Sequence, residues 1–168
     1  KFNDLQIKKL LHNDRFNIST REIVSTQDGH ILVGSYSGLY NISSSGKVLR
    51  GVDSLQNIKV SSTVIKTKND QIWAVGHGKT LNKYNYQNNT FETLLESNNL
   101  IRDVIALNDN ELLLRKGEIF TLFDIKNEIE TPQPFLNKYF KNHEVMYFNK
   151  LSDRTLCFGT DKGLFLYD

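Results

Sequence analysis

Four aspartates in this chain are each followed, fourteen residues later, by a bulky apolar residue: Asp28 and Ile42, Asp70 and Tyr84, Asp109 and Phe123, Asp153 and Tyr167. Internal positions recur as well. Three residues after each Asp come Ile31, Trp73, Leu112 and Leu156, and five after come Val33, Val75, Leu114 and Phe158. Eleven after come Leu39, Leu81, Phe120 and Leu164; six after, Gly34, Gly76 and Gly159 agree and Arg115 departs. The aspartates stand 42, 39 and 44 residues apart. A period of about forty residues belongs to repeat architectures, in which each copy is one supersecondary unit that needs its neighbours to cover its apolar face.

The copies read as strands. In the first, Arg21-Glu-Ile-Val-Ser-Thr is a β-run, Gln27-Asp28-Gly29 a turn, and His30-Ile-Leu-Val-Gly34 a second strand. A loop Ser35-Tyr-Ser-Gly38 leads to Leu39-Tyr-Asn-Ile42, and Ser43-Ser-Ser-Gly46 to Lys47-Val-Leu-Arg50. The second copy repeats this as Val64-Ile-Lys, Ile72-Trp-Ala-Val, Leu81-Asn-Lys-Tyr and Phe91-Glu-Thr-Leu-Leu95. Short apolar runs punctuated by Asp-Gly, Asn-Asp and Gly are antiparallel hairpins, and no ten-residue stretch carries a 3.6 period. Four strands per copy is the arithmetic of a propeller blade. The expected fold is therefore all-β: one β-propeller domain over residues 1–168, with about four blades of four antiparallel strands. The last copy stops after its third strand, and Gln6-Ile-Lys-Lys-Leu-Leu11-His-Asn-Asp14 resembles Phe91-Glu-Thr-Leu-Leu95-Glu-Ser-Asn-Asn99. An N-terminal strand at 5–11 is thus expected to complete the last blade, 144–168, which would remove an exposed sheet edge. Two arrangements stay open, a small closed ring and an arc of a larger propeller.

A net charge of +2 with 39% hydrophobic residues gives material for a core and no basis for nucleic acid or an anionic membrane surface as partner. No apolar run approaches the ~20 residues of a membrane span. Cys157, the single cysteine, stands in an apolar strand and reads as a packed thiol.

The segments Asp28-Gly-His-Ile-Leu-Val-Gly-Ser-Tyr-Ser-Gly-Leu-Tyr40, Asp70-Gln-Ile-Trp-Ala-Val-Gly76 and Gly159-Thr-Asp-Lys-Gly-Leu-Phe-Leu-Tyr-Asp168 carry a pattern. It resembles the two-component regulator propeller repeat, roughly D-x-G-x-[LI]-W-[IV]-G-T-x-x-G-[LI]-x-x-[YF]-[DN]. Trp73 alone keeps the tryptophan, and Asn110-Glu-Leu-Leu-Leu-Arg-Lys-Gly117 is the most divergent copy. The resemblance implies the extracytoplasmic, periplasmic sensor part of a bacterial membrane histidine kinase, often a hybrid kinase that responds to carbohydrate breakdown products. Such repeats occur in long arrays, which favours the arc. On this reading the segment is a non-catalytic ligand-binding sensor without cofactor. Its partners would be an oligosaccharide or other small polar ligand, the rest of a membrane-bound sensor kinase, and a second copy in a ligand-stabilised dimer. A protein-interaction scaffold is the alternative, and a polysaccharide lyase or hydrolase a more distant one.

Catalytic patterns are missing from the sequence. Gly34-Ser-Tyr-Ser-Gly38 has Tyr36 where a hydrolase elbow needs its nucleophile, and Gly76-His-Gly-Lys79 is too short for a phosphate loop. His12, His30, His77 and His143 lack the pairing of a zinc site. A sialidase aspartate box puts its aromatic five residues after the Asp, whereas Trp73 comes three after Asp70. The repeated aspartates read as turn formers in separate blades, too far apart to converge. The candidate ligand-binding surface is instead one mouth of the ring, where second-to-third-strand loops gather with the beginnings of the innermost strands. It would receive Tyr36, His77, Arg115, Asp161 and Lys162 from the loops, with Lys79 and Lys116 as weaker members, and Arg21 and Arg102 from the innermost strands.

Overall fold

The computed structural model describes residues 20–35, 38–50, 63–76, 78–88 and 90–168. The strand expected at 5–11 and the candidate site residues Tyr36 and His77 lie outside the described residues. Blade one is β1 (Thr20–Ser25), β2 (Ile31–Ser35), β3 (Gly38–Ile42) and β4 (Val48–Arg50). Blade two is β5 (Val64–Lys66), β6 (Ile72–Gly76), β7 (Thr80–Asn85) and β8 (Thr90–Glu96). Blade three is β9 (Ile101–Ala106), β10 (Glu111–Lys116), β11 (Ile119–Asp124) and β12 (Ile129–Pro132). A short helix, α1 (Pro134–Tyr139), precedes blade four, whose strands are β13 (Val145–Lys150), β14 (Leu156–Thr160) and β15 (Gly163–Tyr167). Each sheet is an antiparallel meander in sequence order, and the four are arranged as a four-bladed β-propeller. The first strands line the axis, with β1 packed on β5, β5 on β9 and β9 on β13.

The repeat positions explain how the blades stack. Leu39 opposite Gly34, Leu81 opposite Val75, and Phe120 opposite Arg115 occupy the same place in successive sheets. Each points at the blade that follows and is 0% exposed. Three cores result. Leu32, Leu39, Ile72 and Tyr84 join blades one and two; Trp73, Leu81, Leu112 and Phe123 join two and three; Phe120, Phe140, Phe148 and Phe158 join three and four. The last is an aromatic stack in which Phe120 meets Phe148 and Phe158 edge-on, at centroid distances of 5.4 and 5.7 Å.

Structural pairing corrects the repeat by one residue in the second copy. Thr26 N–H donates to the His30 carbonyl across the first turn, and Thr67 N–H to the Gln71 carbonyl across the second. Thr26 Oγ1 donates to Asp28, and Thr67 Oγ1 to Asn69. Asn69 therefore holds the place of Asp28. Asp70 holds that of Gly29, with φ 63° against 78° for the glycine, a left-handed conformation that Asp tolerates better than most residues. One extra residue in the β6–β7 hairpin restores the register, so Val75, not Gly76, stands where Gly34, Arg115 and Gly159 stand.

Helix α1 has no counterpart in the sequence expectation. It spans six residues, too few to show a 3.6 period, and its signal is Pro134 in the first turn. Asn137 fixes it to blade three by accepting from the Phe120 N–H and donating to the Phe120 carbonyl.

Candidate functional site

The axis has two ends, and they differ in chemistry. At one end the innermost strands run into the turns that carry the repeat aspartates. These turns meet. Gln27 Nε2 donates to Asp70 Oδ2 at 3.2 Å, linking blades one and two, and Asn69 N–H donates to Asp109 Oδ1 at 2.8 Å, linking two and three. Lys150 Nζ of blade four donates to the Leu107 carbonyl of blade three. Lys68 of blade two reaches across the axis to Asp153 of blade four at 2.9 Å. The turns are joined by Gln27, Asn69 and Lys68, each bonding a different repeat aspartate, and the aspartates themselves do not gather on one site. The Lys68–Asp153 pair thus ties blade two to blade four.

These turns enclose an open cavity of about 390 Å3 lined by Lys66, Lys68, Lys150, Ser152 and Asp153 among others. Lys68 and Lys150 share the Asp153 carboxylate, and Lys66 pairs with Asp70 at 2.9 Å. The hydrogen bond from Lys68, and then that from Lys150, hold the Asp153 carboxyl down at about 2. Asp109 also acts on Lys68, so this end of the axis sets three ammonium groups, Lys66, Lys68 and Lys150, among three carboxylates, Asp70, Asp109 and Asp153.

The other end is the mouth expected from the sequence. Arg115 lies in β10 rather than in a loop, and is 5% exposed. Its Nη2 pairs with Asp103 Oδ2 at 2.9 Å and its Nη1 donates to the Val145 carbonyl, so the guanidinium ties blade three to blade four. Arg102 is exposed, 3.8 Å from Glu118. Asp161 Oδ1 accepts from Glu144 N–H at 2.9 Å, and Lys162 Nζ donates to the Asn142 carbonyl at 2.7 Å, which fastens the β14–β15 hairpin to the lead-in of β13. Arg21 is exposed on β1. Lys116 pairs with Glu130 at 2.6 Å, on β12. Near the axis, partial burial and then the Asp103 carboxylate push the Glu22 carboxyl above its ordinary value, while burial and the Glu22 and Asp103 charges push the Tyr147 phenol up.

The structure gathers the mouth residues into two kinds. Arg115, Asp161 and Lys162 are spent on internal bonds, and Arg102 faces solvent. The sequence reading passed over Lys66, Lys68 and Lys150, although they stand four, two and three residues before Asp70, Asp70 and Asp153. That clustering of lysines beside the turn aspartates was the available signal. Among the described residues no group of three or more His, Cys, Asp or Glu is placed to hold a metal ion, and no helix is long and apolar enough to cross a membrane.

Comparison with protein-family models gives no match, and comparison with curated protein sequences gives none. Solved structures do resemble it. The extracellular domain of BT4673 from B. thetaiotaomicron, described as a hybrid two-component system, matches with a TM-score of 0.70 and 19% identity over 94% of this chain and 22% of that one. The chain shares its fold with extracellular domains of two-component systems. It spans about a fifth of the BT4673 domain, as the 22% coverage states. YCF48 bound to D1 peptide matches with a TM-score of 0.67 and 13% identity, over 88% of this chain and 50% of that one. The computationally designed Ika4 protein matches with 0.64 and 11%, over 96% of this chain and 98% of that one.

Proposed function

We propose that this chain is a non-catalytic ligand-binding unit of an extracytoplasmic bacterial sensor, taking a small polar ligand such as an oligosaccharide and acting on the remainder of a membrane-bound sensor kinase. The observation that carries the reading is the cavity of about 390 Å3 at the turn end of the axis, walled by three blades. The likeness in fold to the BT4673 extracellular domain supports the sensor setting. Lysines, the Ser152 hydroxyl and the Asp153 carboxylate suit hydroxyl-rich ligands, and a ligand carboxylate could replace that of Asp153 between Lys68 and Lys150. Such a ligand competes with Asp153 for Lys68 and Lys150. An exposed ion pair contributes little to stability, so displacing it costs little. Because those lysines belong to blades two and four, the exchange alters how opposite blades are tied, and a ligand that prefers one blade arrangement shifts the population toward it.

The mouth at the other end, with Arg21, Tyr36, His77, Arg102 and Lys162, is the alternative seat for the same ligand. Titration calorimetry with neutral and uronate-containing oligosaccharides separates the two. Loss of binding in Lys68→Ala with Lys150→Ala, but not in Arg102→Ala with Lys162→Ala, supports the turn end; the reverse moves the site to the mouth. Product formation during incubation defeats the non-catalytic reading, and no saturable heat with any glycan defeats the saccharide reading. A protein-interaction role is the second reading, favoured by the exposed Leu164 and Leu166 on β15.

A further inference from the structure

The seam between blades three and four ends on a group of rings that solvent reaches. Phe135 and Tyr139 on α1 are 58% and 49% exposed, and Tyr167 at the end of β15 is 43% exposed. Their neighbours hold them in place. Phe135 lies against Tyr139 at 6.3 Å with ring planes 20° apart, and it meets Tyr167 at 5.3 Å. Tyr139 is stacked on His143 at 6.0 Å and meets Phe165 edge-on at 5.8 Å. Together with the buried Phe140 and Phe158, these rings surround a cavity of about 120 Å3. A contiguous group of exposed apolar side chains marks a binding surface, whereas single ones need no explanation.

A second cavity, of about 270 Å3, adjoins the first, and Phe135, Leu136 and Tyr167 line both. Leu107, Leu113, Leu122 and Leu156 form most of its remaining wall, with Glu111 and Gln133 as its charged and amide members. The Glu111 carboxylate accepts from Asn108 Nδ2 at 2.6 Å and pairs with no Lys or Arg among the described residues. Gln133 stands just before α1, and its carboxamide does not cap the helix. The seam thus offers aromatic surface at one end and an unneutralised carboxylate at the other.

We propose that this seam binds an organic cation, with an apolar ring or short chain seated among Phe135, Tyr139 and Tyr167 and an ammonium group reaching Glu111 in the adjoining cavity. The lining decides between ligand chemistries. An anion meets the Glu111 carboxylate with no paired cation to offset it. A neutral saccharide carries a hydroxyl on nearly every carbon into walls of leucine and phenylalanine, and buried hydroxyls left without partners are costly. A plain hydrocarbon takes water from Glu111 and Gln133 and replaces none of its hydrogen bonds. An ammonium group satisfies the carboxylate through charge-assisted hydrogen bonds, and aromatic faces attract it as well. The preference is opposite in charge to that of the lysine-bearing cavity on the axis, so neither site stands or falls with the other.

The test follows methyl and aromatic NMR signals of the full chain during titration with phenethylammonium, phenethyl alcohol and hydrocinnamate. The ammonium compound should shift the signals of Phe135, Tyr139, Tyr167 and Leu156 and bind about tenfold more tightly than the alcohol of the same shape. Glu111→Gln should abolish that preference and leave the alcohol's affinity unchanged; the glutamine carbonyl can still accept from Asn108, so the fold is kept. Phe135→Ala should weaken both compounds. Equal affinities for the ammonium compound and the alcohol overturn the proposal, as do tighter binding of hydrocinnamate, shifts confined to the axial cavity, and the absence of any shift at millimolar concentrations. Tighter binding of maltose at the same signals overturns it in favour of a saccharide site. Broadening of these signals as the chain alone is concentrated means that a second copy covers the rings, and overturns it too.

Discussion

The two faces of blade four share a backbone and differ in everything that stabilises a propeller. Toward blade three, Phe158 is flanked by Phe148 and Phe140, and α1 adds Leu136 over the stack. Toward blade one, Leu164 and Leu166 face solvent. The difference teaches that a blade contributes stability through the blade that packs on it.

The packed side should fail first under substitution. Phe120→Ala empties the centre of three aromatic contacts, with Phe140, Phe148 and Phe158, and is expected to cost about 4 kcal/mol, read from denaturant or thermal unfolding. A loss below about 1 kcal/mol would mean that blades three and four are held by something other than this core. Arg115→Ala is expected to cost about 3 kcal/mol, because it strands the partly buried Asp103 and frees the Val145 carbonyl. Adding Asp103→Asn to Arg115→Ala should recover part of that loss; no recovery would assign the cost to packing instead of to charge.

Leu164 measures the open side. An uncovered leucine should tolerate Ala within about 0.5 kcal/mol. Leu164→Ala is therefore expected to cost far less than the roughly 3 kcal/mol expected for Leu81→Ala at the same repeat position. A Leu164→Ala chain with unchanged stability leaves the rim open.

The strands were legible because their signals are local: alternation, Asp-Gly and Asn-Asp turns, and the fourfold spacing. The slip in the second copy was not, because Asp70 and Tyr84 keep the expected separation while the extra residue hides in the β6–β7 hairpin. Arg115 read as a loop charge because its partners, Asp103 and Val145, lie on other strands that sequence proximity does not bring together. The turn-end cavity escaped for a related reason. Each turn looked complete as a local device, and only the small ring size brings Lys68 to Asp153.

The two ends of the axis should also titrate in opposite senses, which is the smallest effect expected. Glu22 sits above its ordinary 4.5 at the mouth end. In the interval just above that value the folded chain holds a proton that the unfolded chain releases, so stability falls as pH rises through it. Glu22→Gln should remove this loss, giving a melting temperature above that of the unmodified chain at pH 7, with the gap closing toward pH 4. Asp153, held at about 2 by Lys68 and Lys150, works the other way. Its stabilising contribution is present above the ordinary carboxyl value of about 4 and is lost as pH falls from there to about 2. Asp153→Asn should flatten the acid limb of the melting curve in that window and leave the Glu22 window untouched. If Asp153→Asn changes the profile near pH 5 instead, the two ends are coupled through the axis, and the lysine bridge would then be a link between the cavity and the mouth.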